Sequence, residues 1–192
     1  LRTHFNVLDR WQVHYATSVF DPIVHAGVGK QEVNIEAVKP FDEGHLEYRL
    51  NQSKDTVFKP WPSSNKLEVK SSNVLEIKYV ESGNQLGNRF RKSYLIHKGL
   101  GKNLTGKPEP NPAYHTGGWS TLLDGIAGQA PRQNQEWLGW SGQNPEMTLD
   151  LGSVQKVHTI TIYTLEDELN WIYLPEEIEI LTGKEGQEFK SV

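Results

Sequence analysis

The residues best equipped for chemistry lie in one stretch. Between positions 112 and 146 stand Tyr114, His115, Trp119, Arg132, Asn134, Trp137, Trp140 and Asn144, set among Gly, Pro and Asn. A pyranose ring offers an apolar C–H face and a rim of hydroxyls, so a site for it pairs an aromatic surface with amide or charged groups. Trp119 and Trp140, in glycine-bearing surroundings, are the candidate platforms. Tyr114, His115, Arg132 and Asn134 are their candidate polar partners. The competing expectation is that a Trp in a small sandwich belongs to its core.

Other chemistries find little to work with. The adjacent acids Asp42-Glu43, Glu166-Asp167-Glu168 and Glu176-Glu177 read as solvated faces or helix starts. No two of the seven His residues fall at ligand spacing on one element, and there is no His-Glu-x-x-His, which points away from zinc. Zero cysteines exclude disulfides, a thiolate metal site and a cysteine nucleophile. A net charge of -4 leaves no general basic footprint for nucleic acid. No apolar run reaches the length of about 18 residues that a membrane span needs. The chain opens on Leu1 rather than Met, which predicts a missing upstream segment and leaves export open.

These loops need a scaffold, and the patterning predicts an all-β one. Residues 1–98 carry 14 Lys/Arg against 11 Asp/Glu, whereas residues 99–192 carry 6 against 13. The sign changes at Lys98-Gly99-Leu100-Gly101-Lys102, a stretch suited to a linker. Period-two alternation predicts strands over Glu32–Val38, His45–Leu50, Lys66–Val69 and Val74–Val80, with a last strand in Arg89–His97. In the second half it predicts them at Met147–Gly152, Val157–Tyr163 and Ile178–Leu181. Strands with one apolar side imply half-buried antiparallel sheets. Ahead of them, Val7, Leu8, Trp11, Tyr15 and Val19 recur at roughly helical spacing until Asp21-Pro22, predicting a short amphipathic helix that must dock elsewhere.

Four ordered motifs then resemble a family. Thr121-Leu122-Leu123-Asp124-Gly125-Ile126, Trp137-Leu138-Gly139-Trp140, Met147-Thr148-Leu149-Asp150-Leu151-Gly152 and Trp171-Ile172-Tyr173-Leu174-Pro175 resemble the discoidin, or coagulation-factor type C, family of galactose-binding-like jelly rolls. Upstream, Val7-Leu8-Asp9-Arg10-Trp11-Gln12-Val13-His14-Tyr15-Ala16 is similar to the tail of the family-twenty β-N-acetylhexosaminidase barrel. His45-Leu46-Glu47-Tyr48-Arg49-Leu50 through His97 is similar to the small sandwich that follows that barrel in bacterial enzymes.

The resemblance implies two small antiparallel β-sandwiches in tandem, the second a jelly roll, preceded by a short helical remnant. Its boundaries would be 1–24 for the barrel remnant, 25–98 for the first sandwich and 99–192 for a jelly roll lacking its closing strands. It further implies a non-catalytic, carbohydrate-binding accessory region of a glycoside hydrolase. The parent enzyme would be periplasmic or secreted and would remove terminal N-acetylhexosamine, with its catalytic Asp-Glu pair upstream. Partners would be the upstream barrel and glycans containing N-acetylhexosamine or galactose. A structural spacer and a surface-adhesion module are the alternatives. In this family Trp137 tends to pack inside and Trp171 leads into a strand. The Leu123-Asp124-Gly125 turn resembles a place where such modules bind structural Ca²⁺, with Asp124 a ligand; equally, Asp124 caps an Asp-Gly turn.

Overall fold

The computed structural model describes residues 2–51, 57–115, 117–129, 136–184 and 187–191. The fold is all-β with antiparallel pairing. It divides into two compact units, Leu1–Gly101 with Asp124–Ile126, and Lys102–Leu123 with Ala127–Val192.

The first unit begins with helix α1 (Arg2–Arg10), followed by β1 (Ile23–Val28), β2 (Val33–Val38), β3 (His45–Leu50), β4 (Lys59–Pro60), β5 (Lys66–Val69), β6 (Asn73–Glu81) and β7 (Asn84–Tyr94). One sheet has the order β1-β2-β5 and the other β4-β3-β6-β7. The alternation read from the sequence becomes a facing pattern. Val33, Ile35 and Ala37 of β2 are buried, as are Leu67 and Val69 of β5. They meet Leu46, Leu75, Ile77 and Tyr79 of the other sheet in one hydrophobic cluster, so the two sheets close as a sandwich. Each such large side chain contributes about 1.5–3 kcal/mol by leaving water.

The β6–β7 hairpin turns on Ser82 and Gly83, whose φ values of 50° and 79° are those of a two-residue type I′ turn. Further along, Ile77 faces Phe90 while Tyr79 faces Leu86, so β7 bulges. That bulge brings Asn88 to Asp21, whose carboxylate accepts from the Asn88 backbone N–H at 2.6 Å and from Nδ2 at 3.0 Å.

The helix differs from its expected span. Instead of running from Val7 toward Val19, it ends at Arg10, because Gln12 adopts a left-handed conformation (φ 55°). The Gln12 N–H donates to the Asp9 carbonyl and the Val13 N–H to the Leu8 carbonyl, each at 3.0 Å. This is the Schellman pattern, which satisfies terminal carbonyls and turns the chain out of the helix. Trp11, expected on the apolar face, is therefore exposed. The helix docks through Phe5, whose ring lies 5.0 Å from Tyr15, 5.2 Å from Phe20 and 5.8 Å from Phe41, a cluster that continues to Tyr79.

On the outward face of the four-stranded sheet, Glu76 is buried among cations. Its carboxylate takes Arg49 Nε and Nη2 at 2.7 Å, Arg89 Nη1 at 3.3 Å, Arg91 Nε at 3.4 Å and the Asn51 amide at 3.0 Å. Arg49, Lys78 and Arg89 lie over the Phe58 ring, 4.9, 4.4 and 5.1 Å from its centroid.

In the second unit, β8 (Asn103–Lys107) pairs with β9 (Glu146–Asp150), and β10 (Leu181–Thr182) with β11 (Lys190–Ser191). Two expected strands differ. Val157–Tyr163 forms no strand, and of Ile178–Leu181 only Leu181 enters one. Among the described residues no backbone lies in register beside 157–163 to complete a ladder, and Val157, Ile160, Ile162 and Tyr163 remain exposed. Period two defines a strand's faces, whereas its existence needs a partner edge. Trp171 likewise lies exposed, at the end of the short 3-10 turn Glu168–Asn170. Its φ of 59° closes a loop in which Asp167 and Ile172 exchange both backbone hydrogen bonds.

Candidate functional site

The β8–β9 pair carries the loops that hold most of the candidate residues. Leaving β8, the chain enters Pro108-Glu109-Pro110 and then Asn111, whose Oδ1 accepts from the Ala113 N–H at 2.9 Å. With Pro112 preset at the next position, this cap starts the 3-10 turn Pro112–Tyr114. A second 3-10 turn, Trp119–Leu123, follows. The loop entering β9 meets the first turn by backbone bonds, Asn111 N–H to the Gly139 carbonyl at 2.8 Å and Gly139 N–H to the Tyr114 carbonyl at 3.3 Å.

This meeting sets two indoles together. The Trp119 and Trp140 rings lie 5.8 Å apart, tilted by 39°. Trp119 Nε1 donates to Glu109 Oε2 at 3.1 Å, and Trp140 Nε1 to the Pro108 carbonyl at 2.9 Å. His115 Nε2 stands 3.5 Å from the same Glu109 oxygen. The Trp119 ring packs on Gly106 of β8 so closely that a Cβ there would overlap it. Both indoles are half-buried, as are Tyr114 and His115. The arrangement presents tilted aromatic surface beside a carboxylate and an imidazole, an apolar face with hydrogen-bonding groups at its edge.

Four of the expected residues, Tyr114, His115, Trp119 and Trp140, thus share one loop cluster. Arg132 and Asn134 lie outside the described residues. Trp137 packs apart from the pair, on Gly128, with its Nε1 donating to the Gln129 carbonyl at 3.3 Å. Sequence reasoning missed Glu109 and Pro108. Their partners are ten and 32 residues away, distances at which no local spacing rule operates.

Asp124 belongs to the first unit. Its Oδ1 accepts from the Ile126 N–H at 2.7 Å, the Asx-turn geometry. Burial raises its pKa to about 6, against the opposing pull of the Ile126 N–H and the Lys92 charge. One carboxyl, with an oxygen already turned to its own backbone, supplies at most a small part of the six to eight oxygens that calcium takes. Among the described residues, no three His, Cys, Asp or Glu side chains gather as a metal site, and no helix is long and apolar enough to cross a membrane. The chain matches no protein-family model and no curated protein.

Proposed function

We propose that this chain is a non-catalytic, carbohydrate-binding accessory region of a glycoside hydrolase, and that Trp119 and Trp140 are its sugar platform. The observation that carries the reading is the gathering of the two indoles with His115 and Glu109. An indole face takes the C–H side of a pyranose, while the carboxylate and imidazole at its edge take hydroxyls. The four ordered motifs favour a discoidin-like jelly roll for the second unit. They also favour a parent β-N-acetylhexosaminidase, periplasmic or secreted, whose upstream barrel holds the Asp-Glu pair. Tethering a weak glycan site to such an enzyme raises the effective concentration of substrate. The chain itself hydrolyses nothing; turnover of an aryl N-acetylglucosaminide by the purified protein would overturn that.

One observation favours a second reading, a structural spacer: both indole N–H groups are already bonded within the protein. Titration of intrinsic fluorescence with N-acetylglucosamine, galactose and their oligomers separates the two. Saturable quenching that disappears in Trp119→Ala and Trp140→Ala supports the platform. Flat curves to tens of millimolar leave the spacer.

A further inference from the structure

On the outward face of the four-stranded sheet, the cations Arg49, Lys78, Arg89 and Arg91 share two carboxylates, Glu47 and Glu76. Directly opposed positions set most of them in rows: Arg49 of β3, Glu76 of β6 and Arg91 of β7 form one row, Glu47 of β3 and Lys78 of β6 the next. Arg89, beside the β7 bulge, joins them through Glu76 and the Phe58 ring. We infer that Arg89 and Arg91 form a contact site for a soluble, doubly charged oxyanion, inorganic phosphate or a phosphate monoester, independent of the sugar reading.

Close pairing accounts for half of the positive charge. Arg49 holds Glu76 with two nitrogens, each at 2.7 Å, and Lys78 holds Glu47 at 2.8 Å. Arg89 and Arg91 have no carboxylate of their own and approach the already engaged Glu76 only to 3.3 and 3.4 Å. Arg89 turns its Nη2 to the neutral side-chain carbonyl of Gln85 at 3.3 Å. Arg91 donates no hydrogen bond among the described residues, and its side chain is 63% exposed, that of Arg89 40%. The Phe58 ring attracts Arg49, Lys78 and Arg89 through its quadrupole but carries no net charge. Among the described residues the face thus holds two positive charges in excess, both on guanidiniums that meet at one carboxylate. A dianion cancels both, where a carboxylate would cancel one, and the guanidinium fork matches phosphate oxygens in geometry.

The test follows the guanidinium ¹³Cζ resonances of Arg89 and Arg91 by NMR, assigned by their loss in Arg89→Gln and Arg91→Gln. The whole chain is titrated at about pH 7.5, where a phosphate monoester is doubly charged, with sodium phosphate and with glucose 6-phosphate. Saturable shifts of both resonances with a Kd of about 1–10 mM are expected from each, and none from glucose or from sodium chloride at matched ionic strength. Arg91→Gln should weaken binding about fivefold, read on the Arg89 resonance, and leave the urea midpoint unchanged because Arg91 is exposed. Arg89→Gln, read on the Arg91 resonance, should weaken it by a similar factor. Resonances that stay still to about 50 mM phosphate, shifts that sodium chloride reproduces, or an affinity unchanged in both variants would overturn the inference. Binding confined to phosphatidic acid vesicles would assign the face to a bilayer and overturn it as well.

Discussion

Trp119 and Trp140 meet at 5.8 Å although 21 positions separate them, and each indole N–H is fixed to the segment Pro108-Glu109. The pair is therefore placed by the loop leaving β8 rather than by contact between the rings alone. An aromatic surface held by hydrogen bonds at its edges is preorganised, which lowers the entropy cost of ligand binding.

Gly106→Ala tests that placement. The added Cβ would overlap the Trp119 ring, and the β8 backbone beneath it is pinned by pairing with Met147. The ring must move. A stability loss of about 1–3 kcal/mol from overpacking is expected, together with reduced sugar quenching. Glu109→Gln keeps an acceptor for Trp119 and should preserve the fold, Glu109 being exposed. Equilibrium urea melts and fluorescence titration, run on both variants, check the contrast.

Glu76 makes a different prediction, about stability alone. Its side chain is only 6% exposed and Arg49 is 23% exposed, so the ion pair is largely desolvated. Glu76→Ala leaves a partly buried guanidinium without its carboxylate and should cost about 3 kcal/mol in urea unfolding. The Arg49 hydrogen bond, against burial, holds the Glu76 carboxyl below its ordinary value. A depressed acid stabilises the fold above its unfolded pKa of 4.5, and that contribution is lost as pH falls through the native value. Stability should therefore drop below about pH 4.5, and Glu76→Gln should flatten the drop.

Asp124 should act in the opposite sense. With its native pKa raised by burial to about 6 from an ordinary 3.8, the folded state binds its proton more tightly than the unfolded chain does. Stability from this group is full below pH 3.8 and declines as pH rises through about 6. Urea melts across this window should show a falling component that Asp124→Asn removes. A carboxyl ¹³C titration midpoint near 4 would refute it.

Much of the first sandwich was legible in the sequence because its strands bury one face each. Val33, Ile35 and Ala37 announce β2 by their spacing, whereas the strand expected at Arg89–His97 starts earlier, at Asn84, directly after the Ser82-Gly83 turn. The same rule misled at Val157–Tyr163, where the alternation is as regular but no described neighbour supplies the other half of the ladder. The α1 terminus was illegible for a local reason: Gln12 carries no sign of the left-handed turn it makes, a role that commonly falls to Gly or Asn.

The candidate site divides in the same way. Residue types alone singled out Trp119, Trp140, Tyr114 and His115, since aromatic and polar groups crowded into a loop suit an amphipathic ligand. Composition likewise settled that no cysteine chemistry is available. Only the tertiary structure decided that the β8–β9 pair brings Glu109 and Pro108 under the two indoles, that Trp137 packs elsewhere, and that Asp124 turns to its own backbone. Side-chain chemistry is a property of each residue and survives in the sequence. Which groups share a hydrogen bond depends on chain crossings between distant segments, and those are set by the packing of the whole unit.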